Sequence, residues 1–153
     1  MSENSKVSSI IFVCLGNICR SPIAQGVAQK YCEDKNLKIK IRSAGTGDWH
    51  IDEAPCENSI KVALQNNVDI SEQKARQVTK HDLEKFDLVV GLDSKNIASL
   101  KLLGREDTIL LGDYGYEGKD VPDPYFFDGF EGFDKVFEMI DICVKNLIDK
   151  KCF

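Results

Sequence analysis

The sequence predicts a small open α/β fold of about four parallel strands joined by right-handed crossovers. Two observations predict it: β-branched apolar runs alternate with helical patterns along the chain, and a long amphipathic stripe closes it. A third bounds it: 153 residues suit one domain, taken as 1–153, with no repeat and no linker. Residues 8–13 (Ser-Ser-Ile-Ile-Phe-Val) read as a buried strand ending at Cys14. Ser21-Pro22 then reads as an N-cap with proline at the first helical position, and Ile23, Val27 and Tyr31 continue one face. Further strands are expected at Ile39 to Ser43, Asp87 to Leu92 and Thr108 to Leu111, with helices near 56–66, 79–85 and 94–103. In the last helix Phe133, Val136, Phe137, Ile140, Val144, Leu147 and Ile148 form the apolar stripe, with Asp134, Lys135, Glu138 and Asp141 off it. The stretch 112–130, rich in Gly, Asp, Pro and aromatics, is the least structured, and a loop of that length in a compact domain is usually functional.

Composition narrows the function classes. Hydrophobic residues at 42 % and charged residues at 29 % are ordinary for a globular chain and exclude a disordered or collagenous one. The net charge of -5, with no basic block, removes the main attraction for a nucleic-acid backbone. The longest apolar run, Ile10 to Leu15, is too short for a membrane span, so a cytoplasmic chain is expected. Six cysteines in a reducing compartment are thiols by default, and each needs a reason in packing or in chemistry. Cys32, Cys56, Cys143 and Cys152 have no metal spacing with each other or with His50 and His81, and are read as packing or surface thiols; no metal and no cofactor is expected.

Cys14-Leu15-Gly16-Asn17-Ile18-Cys19-Arg20-Ser21 lies between a buried strand and a capped helix, so loop amides and a positive helix end converge on one small volume that suits an oxyanion. The Arg20 fork can bind phosphate oxygens in pairs, and the same positive field favours the nucleophilic thiolate of Cys14. Gly16 and Asn17 are the residues expected to take positive φ in so tight a loop. In open α/β sheets ligands bind beyond the carboxyl ends of strands, where both this loop and the 112–130 stretch fall.

The string Val13-Cys-Leu-Gly-Asn-Ile-Cys-Arg-Ser-Pro-Ile-Ala24 resembles the signature of low-molecular-weight protein tyrosine phosphatases. Ser43-Ala-Gly-Thr46, Ala75-Arg-Gln77, Asp93-Ser94 and Asp123-Pro-Tyr125 resemble further landmarks of that family in family order, so the resemblance covers nearly the whole chain. It implies a four-stranded parallel sheet with helices on both faces, of the phosphotyrosine protein phosphatase I-like kind, and a phosphocysteine intermediate. Cys14 is then the nucleophile, Arg20 the phosphate and transition-state ligand, and Asp123 the general acid and base. Ser21 would support the thiolate, Asn17 would hold the loop with Ser43 bonded to it, and Trp49 and Tyr125 would wall the cleft. A nucleophile needing thiolate beside an acid needing its proton implies a bell-shaped, mildly acidic pH–rate profile. The substrates implied are phosphotyrosine proteins, with inorganic phosphate as product, acted on by a monomer or weak dimer. For Cys19 two readings stand side by side: a redox partner that traps an oxidised Cys14 as a disulfide, or filler under the loop.

The sequence departs from the pattern in places. Gln73 stands where the family commonly has a histidine, leaving open whether the amide substitutes; Asp93 suits either loop support or a helix N-cap. Arsenate reductases of similar loop need two more cysteines downstream, and none lies between Cys56 and Cys143. Related protein-arginine phosphatases tend to carry threonine where Ile18 stands. A non-catalytic phosphate-binding or redox-sensing module would lack an acid or an arginine, and both residue types are present.

Overall fold

The computed structural model describes residues 7–124 and 130–152. Strands β1 (Ser9–Cys14), β2 (Lys40–Gly45), β3 (Leu88–Gly91) and β4 (Ile109–Leu110) form one parallel sheet in the order β2-β1-β3-β4. Helices α1 (Arg20–Asp34), α2 (Glu57–Gln65), α3 (Lys80–Lys85), α4 (Ser94–Leu102) and α5 (Glu131–Lys151) connect and cover it. β1 lies centrally and every residue of it is buried, which is why its sequence is a continuous apolar run without alternation. Its side chains nonetheless divide by period two. Ile10 and Phe12 join a core with Ile23 and Val27 of α1, Val62 of α2 and the α5 stripe, while Ile11 and Val13 pack with Leu83 of α3 and Leu100 of α4. Helices therefore cover both faces. All seven stripe residues of α5 are buried, each worth about 1.5–3 kcal/mol against exposure.

Three expectations change. The first helix begins at Arg20 with Cys19 in the N-cap position and makes no side-chain cap; Ser21 is inside the first turn, because its hydroxyl is engaged by Cys14 and Asn17. The 112–130 stretch is more ordered at its start than its composition suggested: Leu111–Tyr114 form a 3-10 turn packed on α5. Strand and helix ends otherwise move by one or two residues, as sheet pairing rather than propensity decides them. Among the described residues, no helix is long and apolar enough to cross a membrane.

Candidate active site

Beyond the carboxyl ends of β1 and β3 lies a cavity of about 180 Å³, lined by Cys14, Leu15, Gly16, Ile18, Cys19, Arg20, Trp49, His50 and Asp123. Cys14 ends β1 on its floor, 2 % exposed. The register Cys14 to Gly45 brings the end of β2 beneath the loop, where a Cβ on residue 45 would stand 2.7 Å from the Leu15 carbonyl oxygen. Only glycine permits that approach. It allows the chain after β2 to take the loop carbonyls: the Thr46 amide donates to the Cys14 carbonyl (2.9 Å) and that of Gly47 to Leu15 (2.9 Å). From the other side the Cys56 amide donates to the Ile18 carbonyl (2.8 Å), and the Ser59 hydroxyl to the Cys19 carbonyl (3.1 Å). In a trans peptide the next N–H points opposite its carbonyl, so anchoring these oxygens outward turns the loop's donors inward.

The sulfur of Cys14 is held by a directed chain of hydrogen bonds. Asn17 donates through Nδ2 to Ser21 Oγ (2.8 Å) and to Ser43 Oγ (2.9 Å), while its Oδ1 accepts from the Arg76 amide (3.0 Å). Ser43 passes its own proton to Gln25 Oε1 (2.7 Å). Ser21 Oγ, which accepts from Asn17, stands 2.9 Å from Cys14 Sγ and has a proton to give it when Cys14 is a thiolate; the Asn17 amide donates to the same sulfur at 3.3 Å. Asn17 does this at φ 58, a left-handed conformation that its three side-chain bonds hold in place. Gly16, expected to share that conformation, does not adopt it.

Arg20 is 7 % exposed, and its Nη1 donates to Asp93 Oδ2 (2.8 Å) and to the Val121 carbonyl (2.9 Å). Burial opposes its charge, yet Cys14, Asp93 and Asp123 together hold the guanidinium above its ordinary value. Asp93 fills both expected parts: it accepts from Arg20 and caps α4 through the Asn96 amide (2.8 Å). Asp123 reaches the rim because the chain after the 3-10 turn pairs with the end of β3, Val121 N–H to the Leu92 carbonyl at 2.9 Å. Trp49 lies at the mouth, 65 % exposed, and Leu15 beside it is 50 % exposed. Tyr125, the other expected wall, lies outside the described residues.

Gln73 does not take over loop support; its amide donates to the Pro22 carbonyl on α1 (3.0 Å), and Asn17 is held by Ser21, Ser43 and Arg76 instead. His50 was not foreseen in the cavity. It packs against Gly16, with Nδ1 3.1 Å from Glu53 Oε1, and only its position next to Trp49 hinted at it. Cys56, expected as a packing or surface thiol, stands 3.0 Å from Cys19, a pairing across 37 positions that no local pattern reveals. An adjoining groove of about 400 Å³ shares Leu15, Arg20 and Asp123 and extends over Asp93, Lys95 and Asp120.

Residues 9–151 match the low molecular weight phosphotyrosine protein phosphatase family. The chain is 40 % identical over 131 residues to the low molecular weight protein-tyrosine-phosphatase YfkJ of Bacillus subtilis, covering 80 % of this chain and 84 % of that protein. The crystal structure of YfkJ superposes with a TM-score of 0.86 at 36 % identity, over 95 % of this chain and 94 % of the other. Vibrio vulnificus Wzb, solved in complex with benzylphosphonate, superposes with a TM-score of 0.85 at 28 % identity, over 94 % and 99 %. Sequence, topology and the geometry around Cys14 agree, and the chain belongs to the low molecular weight phosphotyrosine protein phosphatase family.

Proposed function

We propose that this protein hydrolyses phosphotyrosine in proteins, and small aryl phosphates, through a phosphocysteine intermediate on Cys14. The observation that carries the reading is one sulfur, held by the Ser21 hydroxyl and the Asn17 amide, on the floor of a cavity that also holds Arg20 and Asp123. A phosphate monoester sits with phosphorus in line between Cys14 Sγ and the leaving oxygen, its equatorial oxygens on loop amides and the Arg20 guanidinium. Sulfur attacks phosphorus, the P–O bond breaks, and Asp123 gives its proton to the departing phenolate. Asp123, now a carboxylate, takes a proton from water; the water oxygen attacks phosphorus, the S–P bond breaks, and inorganic phosphate forms. The returning thiolate is received by the same two donors. The exposed indole of Trp49 offers a flat wall to a phenyl ring, and the relative that holds benzylphosphonate supports an aryl-bearing ligand.

The test is aryl phosphate hydrolysis by wild type, Cys14→Ser and Asp123→Ala, with arsenate reduction assayed alongside. Turnover by wild type, its loss in Cys14→Ser, and a pH–rate bell whose alkaline limb flattens in Asp123→Ala are expected. Absence of turnover by wild type overturns the reading, and undiminished turnover by Cys14→Ser overturns the phosphocysteine step.

A further inference from the structure

We propose that Cys19 and Cys56 form a redox-active dithiol that takes hydroperoxides as its oxidant and closes to a disulfide tying the Cys14 loop to the start of α2. Their sulfurs are 3.0 Å apart, so formation of a bond of about 2.05 Å needs closure by only about 1 Å. The two backbones are already joined in register: the Cys56 amide donates to the Ile18 carbonyl, and the Ser59 hydroxyl to the Cys19 carbonyl. Ser59, fully buried, also stands 3.0 Å from Cys56 Sγ; with its proton on the Cys19 carbonyl, its oxygen accepts from the Cys56 thiol and fixes that side chain beside Cys19. Each cysteine occupies the N-cap position of its helix, Cys19 of α1 and Cys56 of α2, and neither helix has a side-chain cap bond. Two helix starts thus meet at one sulfur pair. Both residues are partly exposed, as a small oxidant requires, whereas Cys32 and Cys143 are buried.

The reaction is a two-electron oxidation. Cys19 sulfur attacks one peroxide oxygen, the O–O bond breaks, and a sulfenic acid forms while the other oxygen leaves as water or alcohol with a proton. Cys56 sulfur then attacks Cys19 sulfur, the S–O bond breaks, and water leaves with the proton from Cys56. Two thiols and one hydroperoxide give one disulfide, with Cys14 still a thiol. Cys19 lines the same cavity as Cys14, so the pair is placed to consume oxidant that enters it. The pairing is read by mass and stands apart from the phosphatase reading; its protective consequence is read by turnover and rests on that reading.

The full-length protein is pulsed with hydrogen peroxide, blocked with an alkylating agent and digested with trypsin. Cys14 and Cys19 fall on one peptide, 7–20, and Cys56 on another, 43–61, so the proposed disulfide is a cross-link whose fragments place Cys19. The expected result is Cys19–Cys56 as the major disulfide with Cys14 alkylated. Cys56→Ser keeps a polar atom for Ser59, and its activity before oxidation is expected to match wild type. After peroxide and then reductant, it is expected to recover several-fold less activity than wild type. A Cys14–Cys19 disulfide as the sole product, with Cys56 fully alkylated, overturns the proposal. Equal recovery by Cys56→Ser and wild type overturns its protective consequence.

Discussion

The Cys14 to Arg20 loop is tied down from β2, from the chain before α3 and from the start of α2, by side-chain and main-chain bonds that interlock at Asn17 and Ser21. The segment carrying Asp123 is attached differently: Val121 is bonded through its amide to Leu92 and its carbonyl to Arg20, and the Asp120 carboxylate accepts from the Ser94 amide and hydroxyl. The proposed nucleophile thus sits in a cross-braced frame, and the proposed acid on a strap fastened, among the described residues, through the neighbouring Asp120 and Val121. In the proposed mechanism, attack on phosphorus requires the sulfur and its oxyanion donors to hold their places through both chemical steps, whereas Asp123 must deliver a proton, accept another and let product leave.

Breaking the braced side should cost most. Asn17→Ala removes three side-chain bonds, two of them buried, and leaves alanine at φ 58; a fall in kcat of at least about 100-fold and a loss of about 3 kcal/mol in urea unfolding are expected. Breaking the strap is milder and selective. Val121→Pro removes the N–H that pairs with Leu92, and kcat should fall about tenfold with a poor phenol leaving group but much less with p-nitrophenyl phosphate, which needs little acid assistance. A change where the two regions meet should be smaller again. Asp93→Asn keeps the α4 cap while weakening the grip on Arg20, so kcat/KM is expected to drop roughly threefold with under about 1 kcal/mol of destabilisation; Asp93→Ala should add about 1 kcal/mol for the cap.

The smallest effect sharpens the contrast through pH. Burial pushes the Asp82 carboxyl up, but the Arg76 guanidinium at 2.7 and 2.8 Å and the Thr79 donors outweigh it and hold it below the ordinary range. A lowered native value means that the stabilisation is complete above the unfolded carboxylate value of about 4 and is lost as pH falls through the native one. Since the Arg76 amide supports Asn17, acid titration should loosen the braced side. The urea midpoint of wild type should decline below about pH 4, and Asp82→Asn should show a shallower decline.

Local chemistry made the loop legible from the chain alone. An apolar run, a cysteine, an arginine six places on and a Ser-Pro pair are all within one strand-loop-helix unit. The same locality misled at Ser21, whose type and neighbour describe an N-cap: the short polar side chain bonds to whichever partner tertiary packing offers, here Asn17 and Cys14. Gln73 shows the converse. Whether its amide reached the loop depended on where the chain before α3 lay against α1, and it binds Pro22.

What the sequence by itself determined is therefore the set of elements, the two-sided burial of β1, the α5 stripe and the strand-loop-helix setting of Cys14 and Arg20, because periodicity, apolar runs and motif spacing are written within a few turns of chain. Tertiary structure alone decided the order β2-β1-β3-β4, the arrival of Asp123 at the cavity through the Val121 to Leu92 pairing, the entry of His50 and the meeting of Cys19 with Cys56. Each of these joins residues far apart in sequence, where only the simultaneous packing of both sheet faces selects which segments touch.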